Sequence, residues 1–101
     1  MRERDIEKYL RELVEAYGGI CEKFVSPGRR GVPDRLITWP DGVMRLAETK
    51  TQSGRLSSAQ LRDHDRRACR GVTVAVIWSK TEAYNFVMKD TPYARKTLKR
   101  N

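Results

Sequence analysis

Asp34 and Glu48 are separated by thirteen residues, and Lys50 follows Glu48 by two. Two carboxylates brought together can hold a hard divalent cation, since carboxylate oxygen suits Mg²⁺ or Mn²⁺. A lysine beside them supplies a fixed positive charge. The segment between them decides whether they meet. Leu36, Ile37, Thr38 and Trp39 read as one strand and Val43, Met44, Leu46 and Ala47 as its partner, with Pro40-Asp41-Gly42 as the turn. Proline presets the first turn position, aspartate suits the second, and glycine takes a left-handed third position. With a three-residue loop, opposed positions sum to 82, so Leu36 faces Leu46 and Asp34 faces Glu48. Alternation along the strand adds Lys50, Leu36, Met44 and Leu46 to that face. A two-residue Asp41-Gly42 turn would set Asp34 opposite Thr49 instead and move Glu48 to the other side.

Other elements must hold this hairpin in place. Ile6, Leu10, Leu13, Val14 and Tyr17 recur at helical spacing before Gly18-Gly19, which predicts an amphipathic helix over about 3–17. Ile20 to Val25 reads as a strand, ended by the loop Ser26-Pro27-Gly28-Arg29-Arg30-Gly31. Ser57 and Gln60 form a capping-box pattern, with Leu56 and Leu61 as its staple, so a helix of about 58–70 should follow and end at Gly71. Val72 to Trp78 reads as a buried strand, and 80–89 as a short helix broken by Thr91-Pro92. The tail from Tyr93 carries Arg95, Lys96, Lys99 and Arg100. The order is helix, three strands, helix, strand, helix. It gives an α/β fold with a mixed sheet flanked by helices, and the stretch 44–78 is a right-handed strand–helix–strand candidate.

Gly31-Val32-Pro33-Asp34 followed by Glu48-Thr49-Lys50 resembles the signature of the PD-(D/E)xK nuclease superfamily. The runs GVPDRLITWPDG, AETKTQSGRLSSAQ and GVTVAVIWS are similar to its small VRR-NUC branch over most of residues 6–79. The resemblance implies a restriction-endonuclease-like core in the order α-β-β-β-α-β, which agrees with the order read from the elements. It also implies Mg²⁺ or Mn²⁺ held by Asp34, Glu48 and the backbone carbonyl of Thr49. Lys50 would stand near the attacking water and the scissile phosphate. Phosphodiester hydrolysis needs such an arrangement, because a cation offsets charge building on the phosphate and lowers the pKa of the attacking water.

Glu7 corresponds to the acid that the family carries on its first helix, with Glu3 nearer the centre of the apolar stripe. Gln60 corresponds to a further active-site residue, while the capping box gives it a purely local role. Arg29 and Arg30 are placed to meet a phosphate backbone, with Arg55 on the GRLSSAQ run as a further candidate. The resemblance further implies a structure-selective DNA endonuclease leaving 5′-phosphate and 3′-hydroxyl ends, and a homodimer acting on branched duplex DNA such as a Holliday junction. The alternatives are a nuclease of flaps, ends or linear DNA, and a non-catalytic nucleic-acid-binding module of the same fold. A structural salt-bridge cluster is the bland reading of the three charged residues.

Composition sets the outer bounds. The 101 residues suit one domain, with a core over about 3–89 and a basic tail over 90–101. Twenty-one Lys and Arg against thirteen Asp and Glu leave a net charge of +8, which favours a polyanionic partner. No apolar run is long enough to span a bilayer, and the first residues lack the apolar stretch of a signal peptide, so a cytoplasmic protein is expected, in a bacterial host if phage-encoded. Cys21, Cys69 and His64 lack zinc-finger spacing. The cysteines read as small buried apolar residues, His64 as a surface residue, and Trp39 and Trp78 as core or dimer-contact residues in preference to base-stacking platforms.

Overall fold

The computed structural model describes residues 1–98; Lys99 and Arg100 of the basic tail lie outside the described residues. The elements run α1 (Glu3–Ala16), β1 (Ile20–Lys23), β2 (Arg35–Thr38), β3 (Met44–Thr49), α2 (Ser58–Ala68), β4 (Ala75–Ile77), α3 (Lys80–Asp90) and α4 (Pro92–Leu98). The sheet has the order β1-β2-β3-β4, antiparallel across its first three strands, with β4 parallel to β3 after the α2 crossover. No helix among the described residues is long and apolar enough to cross a membrane.

The hairpin follows the three-residue turn. Gly42 has φ +87°, Trp39 and Val43 close the loop with a 2.9 Å hydrogen bond, and Leu36 pairs with Leu46 and Arg35 with Ala47. α1 ends as its Gly-Gly pair dictates: Gly18, at φ +85°, donates to the Glu15 carbonyl, and the Gly19 N–H reaches back to Val14 at 2.9 Å.

The buried face of the sheet is the one opposite Leu36, Met44 and Leu46. Ile37, Trp39 and Ala47 pack with Ile6, Leu10 and Val14 of α1 and with Ala83 and Val87 of α3. Full burial of each large aliphatic or aromatic side chain among them contributes roughly 1.5–3 kcal/mol. Both α1 and α3 lie on that side, so Met44 on the other face stays 55% exposed. Asp90 at the end of α3 is a buried tie, accepting from Trp39 Nε1 at 2.7 Å and from Arg45 Nε at 3.0 Å.

Several expected elements are altered. Val72 and Thr73 stay exposed and only Ala75–Ile77 pair with β3, so the last strand is shorter than its β-branched run. Cys21 is buried, but Cys69 caps α2 in the open. Pro92 breaks α3 and then opens a new helix at its first position, where proline's missing N–H is harmless, with Thr91 Oγ1 accepting from the Ala94 N–H. The tail residue Arg95 is thereby committed to the fold: its guanidinium grips both Asp41 oxygens of the hairpin turn at 2.8 and 3.0 Å.

Candidate active site

Pro33 is fully buried and leads the chain into β2, and the Asp34 carbonyl accepts from the Phe24 N–H at 2.8 Å. Asp34 thus stands just outside the β2–β3 ladder, free to turn its side chain along the end of β3. Its carboxylate lies 3.4 Å from the Thr49 N–H and 3.3 Å from the Thr49 hydroxyl. That hydroxyl also lies 3.1 Å from Glu7 Oε1, and Glu7 Oε2 accepts from Arg35 Nη2 at 2.8 Å. Carboxylate oxygens of Glu3, Glu7 and Asp34 come within 4.8 Å of one another.

Glu48 departs from the simple picture of two acids facing each other. It is only 3% exposed, and its Oε1 lies 3.5 Å from His64 Nε2 on α2. Neither of these two buried atoms has a hydrogen-bond partner among the described residues. The acids therefore flank Thr49, with Asp34 gathered to α1 and Glu48 turned to α2. His64 is drawn in rather than left on the surface, its side chain 15% exposed. Its signal in the sequence is slight: it lies four residues after Gln60, one helical turn along α2. Arg35, on the face opposite Glu48, and Glu3 are the other residues the motif alone does not single out.

The peptide linking Thr49 to Lys50 is trans, and its N–H bonds the Ile77 carbonyl at 2.9 Å. The Thr49 carbonyl at the other end of that plane must then point away from β4, toward the Asp34 side. Lys50 is half-buried, and its charge acts on Glu48. Gln60 sits in the capping box, with its Oε1 accepting from the Ser57 N–H at 2.8 Å and its own N–H donating to Ser57 Oγ at 3.1 Å.

The electrostatics show carboxylates under strain. Burial, and next the Asp34 charge, push Glu48 up to about 8 from 4.5. Burial and the neighbouring Glu7 likewise raise Asp34, against the bonds from Thr49 and the Arg35 charge. Burial lowers His64. Crowded hard-oxygen donors whose ionised forms are disfavoured, beside a carbonyl aimed the same way, are a set that a divalent cation would relieve. The residues fit such an ion.

Arg29 and Arg30 are exposed in the loop before Asp34. They share a groove of about 480 Å³ with Arg62 and Arg66 of α2. Gly31 is what allows this approach. It has φ +81°, and a Cβ there would run into the Ala59 backbone at the start of α2. Arg66 and Arg67 are held from below by the buried Asp63 at 2.7 Å each. Arg55 is exposed and stands apart from that groove.

A mixed four-stranded sheet, flanked by helices and with acids gathered at the open end of its hairpin, is a restriction-endonuclease-like α/β fold. A solved structure described as a VRR_NUC domain matches it with a TM-score of 0.81 and 34% sequence identity, over 87% of this chain and 96% of that one. A protein named "Putative nuclease p44", from Acyrthosiphon pisum secondary endosymbiont phage 1, is 46% identical over 80 residues, which cover 79% of this chain and 86% of that protein. No protein-family model matches the chain. This chain belongs to the VRR_NUC family of nucleases.

Proposed function

We propose that the protein is a divalent-metal-dependent DNA endonuclease using PD-(D/E)xK chemistry. The supporting observation is that Asp34 and Glu7 meet at Thr49 on the end of β3, immediately before Lys50, with Glu48 on the other side of Thr49 and within reach of the Asp34 charge. Asp34, Glu48 and the Thr49 carbonyl would hold Mg²⁺ or Mn²⁺, with Glu7 completing the acidic wall. Bound there, the cation would lower the pKa of the attacking water and offset charge on the phosphate. Lys50 orients the water and steadies the charge that builds in the transition state. His64 packs Glu48 from the α2 side. Gln60 contributes through its amide nitrogen, since its oxygen is engaged in the helix cap. Arg29, Arg30 and Arg55 contact the phosphate backbone, and the net charge of +8 supplies a sequence-independent footprint.

The substrate we assign is branched duplex DNA, with a Holliday junction cut by a homodimer to leave 5′-phosphate and 3′-hydroxyl ends. A junction needs two nicks, and two copies of one site related by a two-fold axis match that demand. The kinship with a phage protein is consistent with action in a bacterial cytoplasm. The purified protein should nick a four-way junction with Mg²⁺ or Mn²⁺ and not with chelator, and Asp34→Asn, Glu48→Gln and Lys50→Ala should each abolish nicking. A panel with flap, single-stranded and linear DNA ranks the substrates, and light scattering reads the oligomer. Full activity in all three variants removes the catalytic assignment. Equal cutting of linear duplex removes the junction assignment, and a monomer on the junction removes the dimer.

A further inference from the structure

Beyond Lys50 the chain turns through Thr51, Gln52 and Ser53, and that turn forms one wall of a cavity of about 440 Å³. Trp78 and the first residues of α3 line it as well, together with Met1 and the buried Ile6. The volume lies in the range of small-ligand sites. Its lining combines one aromatic side chain with several hydroxyls and a cation. Trp78 is half-buried and adds an aromatic side chain to the lining, and the hydroxyls of Thr51 and Ser53, 3.5 Å from each other, and of Thr81 are groups that can meet the donors and acceptors of a base edge. Lys80 stands at the rim, its ammonium 5.6 Å from the centre of the Tyr9 ring.

Its location ties the pocket to the candidate active site. Thr51 directly follows Lys50, Trp78 directly follows Ile77, and Ile77 is the parallel partner of Thr49. Met1 precedes Glu3 of the acidic cluster by two residues. A nucleotide here would neighbour the phosphate at the β3 end. We propose that this cavity takes one unpaired nucleotide of the strand being cut, its base set against Trp78. The inference rests on the nuclease reading above and narrows its branched-DNA substrate to branches with an unpaired nucleotide beside the cut, in place of a junction paired up to its crossover. A paired and stacked base would first have to be extruded, at a cost of a few kcal/mol, so open branch points are selected.

Binding in chelator tests this without relying on cleavage. The probes are a branched duplex with one unpaired nucleotide at the branch and a fully paired duplex of the same sequence, compared by fluorescence anisotropy. The wild-type chain should prefer the first by about 5- to 150-fold, the span of base–aromatic stacking. Trp78→Phe should keep most of that preference and Trp78→Ala should lose it, with affinity for the paired duplex unchanged. Thr81→Phe, which fills the cavity from an exposed position, should also lose it, and it carries the test should Trp78→Ala fail to fold. Absence of the preference in the wild type, or its persistence in Thr81→Phe, overturns the proposal. Cleavage of the same probes in Mn²⁺ reads the nuclease assignment separately. A chain that cuts without the preference refutes the pocket alone, and one with the preference that never cuts refutes the nuclease reading alone.

Discussion

Replacing Glu48 with glutamine should make the metal-free protein more stable, by an amount that grows with pH. The unfolded chain releases the Glu48 proton near 4.5, whereas the folded chain keeps it until about 8. The stability that goes with the held proton is complete below 4.5 and is lost as pH rises through 8. Between those limits each pH unit removes about 1.4 kcal/mol, or about 5 kcal/mol across the window. That is a large share of the roughly 5–15 kcal/mol that holds a domain together. Asp34, also raised, tilts the wild type in the same direction. His64, lowered by burial, tilts it oppositely below its ordinary range. Both are present in the variant, so the difference between the two chains reads Glu48 together with its coupling to these two neighbours. Urea unfolding in chelator, followed from pH 5 to pH 9, should show near-equal stability at the acid end and a lead for Glu48→Gln of about 3–5 kcal/mol at the alkaline end. Adding Mn²⁺ should shrink that lead, because an ion bound to Glu48 favours its ionised form. Parallel curves in chelator would refute the reasoning, since they would mean that Glu48 ionises no less easily folded than unfolded.

Three further outcomes are expected. Gly31→Ala forces a left-handed residue into the Ala59 backbone and should destabilise the fold by about 2–4 kcal/mol, read as a lower Tm. Asp63→Ala leaves Arg66 and Arg67 without their buried anchor and should cost about 1–3 kcal/mol, below the 3–5 of a fully buried pair because both arginines are partly exposed; urea unfolding measures it. Replacing Arg29 and Arg30 with alanine should weaken binding to all duplex sequences alike and flatten the slope of log affinity against log salt by about 0.9 for each phosphate that is no longer neutralised.

Much of the scaffold was legible because its signals are local. The 3.6-residue spacing of Ile6, Leu10 and Val14 gives α1, Gly18-Gly19 ends it, Ser57 with Gln60 starts α2, and Pro40-Asp41-Gly42 sets the hairpin register. Other features need more than a window of sequence. Val72 is as β-branched as the residues after it, yet only Ala75–Ile77 find a partner strand. Pro92 reads as a stop but serves equally as a start, and Arg95 reads as a free cation until Asp41 arrives beside it. His64 looks like any polar residue on a helix of arginines until α2 lies across Glu48.

That Asp34, Glu48 and Lys50 come to the same end of one hairpin could be read from the chain alone, since strand alternation and turn length are properties of a few consecutive residues. The surplus of positive charge around them is likewise a matter of composition. Which face of that hairpin is buried was settled at the level of packing, because it depends on α1 and α3 lying on one side and leaving Met44 and Leu46 on the other. Packing also made Asp34 side with Glu3 and Glu7 while Glu48 sides with His64. These groups lie far apart along the chain, and burial and mutual charge act on them only once folding has removed the water between them.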